Sequence, residues 1–187
     1  GGLLNFFHDF IRQAVEERYL LTDEGKKSAH LRLADYFSRL EDNLPQKLEP
    51  QFIDIIRRIK NGSKAEDHSP RKVEELPWQL QQAGRWQWLY DLLADLTFFQ
   101  LLYEHNKYDL QTYWASIEAN SKLDRVDAYR PVIENPQRVK LWVLHYLAIT
   151  FQVSGRLKEA MTLHKEHEKI CRQMGDLDGL HWSLGNQ

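Results

Sequence analysis

A chain of 187 residues that is 42% hydrophobic and 28% charged has the composition of an ordinary globular protein, which excludes a disordered chain. Its formal net charge of −2, with Lys and Arg scattered among Asp and Glu, provides no field for a phosphate backbone or an anionic bilayer, so neither nucleic acid nor membrane is expected as a partner. One cysteine, Cys171, cannot form an internal disulfide, no apolar run is long enough to span a bilayer, and no secretory leader opens the chain. Together these point to the cytoplasm.

The chain starts at Gly1-Gly2-Leu3 and stops at "HWSLGNQ", inside what reads as a helix, so a piece of a longer polypeptide is expected. Phe7, Phe10, Ile11, Val15, Tyr19 and Leu20 make one apolar stripe at helical spacing. Leu31, Leu33, Ala34, Phe37 and Leu40 make a second, and the two segments are predicted to pair as a hairpin over residues 1–60. "EDNLPQKLEP" carries two prolines and reads as a loop before a short helix, "QFIDIIRRI". The polar stretch at 61–70 is the best internal linker and ends in Ser69-Pro70, an N-cap followed by proline at the first helical position. Its Asn61-Gly62-Ser63 matches a glycosylation acceptor, which a cytoplasmic chain would not use.

From residue 71 a longer period sets in. "LQQAGRWQWLYDLL" (80–93) superimposes on "FQVSGRLKEAMTLH" (151–164), matching Gly84 to Gly155, Arg85 to Arg156 and Leu92 to Leu163. Two repeats of about 35 residues separate the glycines, and Asn120 stands halfway between them. Asn is the best stand-in for Gly in the left-handed conformation that ends a helix, so Gly84, Asn120 and Gly155 are predicted corners of successive helical hairpins. A period near 34 residues built of helix pairs is the signature of tetratricopeptide (TPR) repeats. In 136–187, Leu144, Leu147, Ala148, Phe151, Gly155 and Ala160 fill its large, large, small, aromatic, Gly and Ala places, and "GDLDGLHWSLGNQ" looks like the next repeat beginning. Residues 71–135 read as more degenerate repeats. The expected fold is all-α, antiparallel hairpins stacked into a TPR-like right-handed α-solenoid, with a protein or peptide as partner in its groove.

Chemistry-bearing motifs are sparse. No nucleophile elbow, phosphate-binding loop or HExxH occurs, and no catalytic residue is assigned. His164, His167 and Glu168 could share a helix face, but a metal needs further ligands that nothing in the sequence identifies. His167 also falls on the stripe of Ala160, Leu163, Ile170 and Met174, so packing is the preferred reading and no metal is assigned. Trp78, Trp86 and Trp88 are read as core rather than as an exposed binding platform. Arg57, Arg58 and Lys60 form a small basic cluster that Glu66 and Asp67 offset. Glu74 and Glu75 diverge by about 100° on a helix and are read as surface residues, with Arg71 placed to pair with Glu75 and Pro77 expected to kink or restart the helix.

The opening stretch "FFHDFIRQAVEERYL" resembles the end of the winged-helix domain of STAND NTPases, the signal-transduction ATPases that include apoptosome and plant-resistance proteins. In that family a Met-His-Asp signature closes the winged helix and its His reaches the β-phosphate of bound ADP. Here Phe7-His8-Asp9 stands in that place, with Phe for Met. "HLRLADYF" and the stretch from "RKVEELPWQL" to "QTYWASIE" are similar to the helical region after the winged helix in nephrocystin-type members, and "LHKEHEKICRQMGDLDGLHWSLGNQ" to bacterial TPR arrays. The resemblance implies a non-catalytic helical arm coupling a sensor array to a nucleotide switch, with His8 and Asp9 sensing nucleotide in the intact parent. It also implies an adjacent nucleotide-binding module that holds ADP or ATP with Mg. The stretch itself contains neither a phosphate loop nor a Mg-binding strand, so it takes no cofactor of its own. The rival reading is a free-standing TPR adaptor.

Overall fold

The computed structural model describes Arg18 and residues 21–39, 70–177 and 179–181. The candidate pair His8 and Asp9, the segment 40–69 with its predicted short helix and basic cluster, and the first apolar stripe lie outside the described residues.

Among the described residues every regular element is a helix: α1 (Asp23–Ser38), α2 (Pro70–Gln82), α3 (Trp86–Ala94), α4 (Leu96–Asn120), α5 (Arg125–Glu134), a 3₁₀ turn (Pro136–Arg138), α6 (Leu141–Val153) and α7 (Leu157–Met174). The start of α1 is fixed by Thr22, whose hydroxyl accepts from the Gly25 amide at 3.0 Å, while Asp23 and Glu24 complement the positive end of the helix dipole. Ala34 and Phe37 are buried as the stripe predicts, but Leu33 is left exposed. α1 packs on α2 in antiparallel fashion. His30 Nδ1 lies 2.8 Å from Gln79 Oε1, its ring meets Trp78 edge-on, and near the other end the Arg71 guanidinium lies over the Phe37 ring at 5.4 Å.

Pro70 opens α2, where its missing N–H costs nothing. The helix then runs through Pro77 rather than restarting there, with the ring of that proline buried in the core. Glu75 accepts from Gln79 at 3.3 Å, and Arg71 is committed to Phe37 instead of to the predicted pair.

The corners at Gly84 and Gly155 have one geometry. Gly84 has φ 66° and Gly155 φ 77°; the next residues, Arg85 and Arg156, take φ −90°, ψ 65° and φ −82°, ψ 61°. In each corner the arginine amide donates to a carbonyl five residues back, Leu80 or Phe151, at 2.9 Å, and the glycine amide to Gln81 or Gln152 at 3.0 or 3.1 Å. This double closure satisfies the last carbonyls of α2 and α6 and demands a left-handed residue. Nothing lies within 4 Å of where a Cβ on Gly155 would sit, so the cost of a side chain there is purely conformational. Gly155→Ala should therefore lower stability by about 1–2 kcal/mol and Gly155→Asn by less, measured by urea unfolding.

Asn120 does not copy that corner. It is the last residue of α4, no non-glycine residue among those described has positive φ, and its side chain donates back to the Ser116 carbonyl at 2.9 Å. The chain turns through extended Ser121 and re-enters a helix at Asp124, whose carboxylate caps the Val126 amide at 2.7 Å. A second departure lies inside α4, where Asn106 leaves helical geometry at φ −157°, ψ 93°. Its side-chain oxygen accepts from the amides of Tyr108 and Asp109 at 3.0 and 3.4 Å, so Asn106 caps a new helix that runs on from the old one.

With that break placed, the packing is periodic. α2, α4 and α6 contact one another in sequence as one layer, while α3, α5 and α7 form the other. Like helix stacks on like helix, which is the plan of a helical solenoid. The core between the layers is continuous from Leu76 and Leu80 through Leu89, Leu93, Phe98, Phe99, Trp114 and Tyr129 to Leu144, Leu147, Phe151 and Leu163.

Candidate interaction surface

Hydrogen bonds cross between neighbouring units at close to one repeat length. Gln81 Nε2 donates to Ser116 Oγ at 2.7 Å across 35 residues, and Gln111 Nε2 to the Thr150 carbonyl at 3.3 Å across 39. In the other layer the buried Tyr129 hydroxyl donates to the Leu93 carbonyl at 2.6 Å across 36 residues. Burial, above all, pushes the Tyr129 phenol far up, so it remains a donor at any physiological pH.

At the corner between α4 and α5 lies the main polar cluster. Arg125, only 3% exposed, donates through Nε and Nη2 to the two oxygens of Glu118 at 2.7 and 2.9 Å and through Nη1 to Gln111 Oε1 at 2.9 Å, while its guanidinium faces the Trp114 ring at 5.9 Å. Arg156, from the next corner, donates to Asp124 at 2.7 Å and lies 3.6 Å from Glu118. Burial pushes the Glu118 carboxyl up, but hydrogen bonds and charge from Arg125, with the charge of Arg156 behind them, outweigh it and hold the group below the ordinary carboxylate range. The Gly-Arg pair read from the sequence is thus both a turn and an anchor: the glycine makes the corner, and Arg156 ties it to the preceding one.

The tryptophans divide. Trp114 is fully buried and Trp86 and Trp88 are half-buried against the core, the latter beneath Arg85 at 5.4 Å. Trp78 is 43% exposed and departs from the core reading. It sits on α2, in the same layer as the 73% exposed Tyr108 of α4 and the half-buried Trp142 and Tyr146 of α6. Tyr146 stacks on Tyr103 with centroids 4.2 Å apart. This layer thus carries ring faces from its three successive helices at or near the surface.

His164 and His167 are both buried on α7, as a packing role requires, and Ala160 is buried beside Leu163. His164 Nε2 lies 3.4 Å from Gln152 Oε1 and His167 Nδ1 3.6 Å from Cys171 Sγ, while Glu168 turns to Arg172 at 2.6 Å. The three candidates do not share one target, and among the described residues no group of three His, Cys, Asp or Glu side chains is arranged to hold a metal ion. Also among these residues, no helix is long and apolar enough to cross a membrane. Sequence reasoning missed Glu118 and Arg125, which pair across the turn between α4 and α5, and His145, whose ring neighbour His167 lies on the next helix.

The chain is 30% identical over 123 residues to a TPR repeat-containing protein of Dictyostelium discoideum. That stretch is 65% of this chain but 6% of the relative, so the chain spans a small part of the protein it matches. No family model matches, and no solved structure does. Similarity and architecture agree on a TPR-like helical repeat fold.

Proposed function

We propose that the chain is a non-catalytic scaffold that presents the layer of α2, the second half of α4 and α6 to a protein or peptide, and that in its parent it forms the arm between a STAND-type ATPase switch and a sensor array. The observation that carries the scaffold reading is the stacking of like helix on like helix with hydrogen bonds recurring at the repeat length. Such a stack transmits displacement, because each unit is bound to its neighbour through packed core and paired polar groups. Capture of a ligand by downstream repeats would then favour one arrangement of the arm over another and shift the switch with it.

The ATPase half of the reading rests on the Phe7-His8-Asp9 resemblance, with His8 and Asp9 reporting the bound nucleotide. A free-standing adaptor is equally consistent with the similarity to the Dictyostelium TPR repeat-containing protein. The full-length protein separates the two. If the switch is present, a GxxxxGK[ST] loop lies upstream of Gly1, the purified protein retains ADP, and His8→Ala lowers ADP retention at least tenfold. A full-length protein with no such loop and no retained nucleotide leaves the adaptor.

A further inference from the structure

The last hairpin holds three imidazoles in one place. His145 of α6 and His167 of α7 have ring centroids 5.5 Å apart at 39°, and His164 lies one helical turn before His167. His164 and His167 are buried and His145 is half-buried against the Tyr146 ring. Buried imidazoles this close pack well when neutral, whereas protonation puts like charges between two helices with little water to screen them.

The ion pairs on the surrounding elements join other groups than these imidazoles. On α7, Lys169 pairs with Glu166 and Arg172 with Glu168; on α5, Arg130 pairs with Asp127 and Arg125 with Glu118; on α6, Tyr146 meets Glu104 of α4; and Arg138 of the 3₁₀ turn is exposed. Among the described residues the carboxylate that acts on the cluster belongs to Asp176, just beyond α7, and it favours the charged form of His167. One carboxylate cannot offset three cations.

We propose that His145, His164 and His167 form an acid-sensitive latch, closed while the rings are neutral and packed, and opened when protons enter the cluster and force α6 and α7 apart. Burial is the first cause pushing all three imidazoles below their ordinary value, and the charge of His145 adds to it at His164 and His167. The direction of the pH effect follows. The unfolded hairpin takes up protons first, near pH 6.5, so the latch is fully closed above that pH and loses stability as the pH falls below it, until the folded groups titrate too. Each imidazole within that window lowers the folding equilibrium about tenfold per pH unit.

The test is urea unfolding of the chain followed by circular dichroism at pH 7.5 and 5.5, with the variants His145→Gln/His164→Gln/His167→Gln and, as control, His30→Gln. The unaltered protein and the control should lose at least about tenfold in folding equilibrium between the two pH values, and the triple variant should not. An equal loss in the triple variant, or none in the unaltered protein, overturns the proposal. Should the triple variant not fold, an imidazole NMR titration of the unaltered protein decides: three rings still neutral at pH 6 support the latch, and rings titrating at or above pH 6.5 sink it.

Discussion

Trp114→Ala should lower stability by about 4 kcal/mol, seen as a shift in the urea midpoint. Trp114 is fully buried and stands where two units join: its ring meets Tyr90 of α3 edge-on at 5.6 Å and Tyr129 of α5 at 5.6 Å, with the Arg125 guanidinium over one face. Tyr129 passes the contact on to Phe99 at 5.5 Å and Phe151 at 6.1 Å. Removing the indole leaves a cavity lined by rings that hydrogen bonds and backbone hold in place, so it cannot collapse without moving a helix. Because each unit of a stack is stabilised by its neighbours, the loss falls on the junction. The unfolding slope should drop or the transition split, as one end melts before the other. Trp114→Phe retains most of the apolar surface and should cost less than half as much; a loss under about 1 kcal/mol for the alanine variant would contradict the hub role.

The fold was legible wherever local geometry has to be encoded locally. A left-handed corner requires glycine, so Gly84 and Gly155 and the arginines after them could be aligned directly from the letters. Asn120 shows the limit of that logic: a turn can also be built from an extended residue and an aspartate cap, and Ser121 with Asp124 does so. The break inside α4 had a signal that periodicity alone passes over. Asn106 is followed three residues later by Asp109, an N-cap pattern within an otherwise helical stretch, and it marks where one unit ends and the next starts. The polar clusters were not legible at all. Glu118, Arg125 and Arg156 look like ordinary surface charges in sequence: the first two meet only because the α4–α5 turn folds one onto the other, and the stacking of the next corner brings Arg156 to them. Trp78 was misassigned to the core for a related reason: spacing places a residue on a stripe, but the neighbour that covers the stripe fixes how wide it is.

Arg125→Ala should cost about 3 kcal/mol, less than Trp114→Ala but more than any corner glycine. The guanidinium makes three side-chain hydrogen bonds from a buried position, two to Glu118 and one to Gln111. Its removal leaves a part-buried carboxylate with Arg156 at 3.6 Å as its remaining cation. Lysine should not rescue, since a single ammonium cannot reproduce the fork that meets both carboxylate oxygens while also reaching Gln111. Arg125→Met with Glu118→Leu should recover much of the loss, because it removes the orphaned charge together with its partner. The pH dependence gives an independent check. Glu118 is held below its unfolded value near 4.5, so its contribution is present above that pH and is lost as the pH falls through the lower folded value. In Arg125→Ala that acid-range slope should flatten, whereas the slope below pH 6.5 attributed to the histidine latch should persist. A variant that loses both slopes would mean the last hairpin was already detached at neutral pH, and that the Arg125 cluster holds the stack together beyond its own corner.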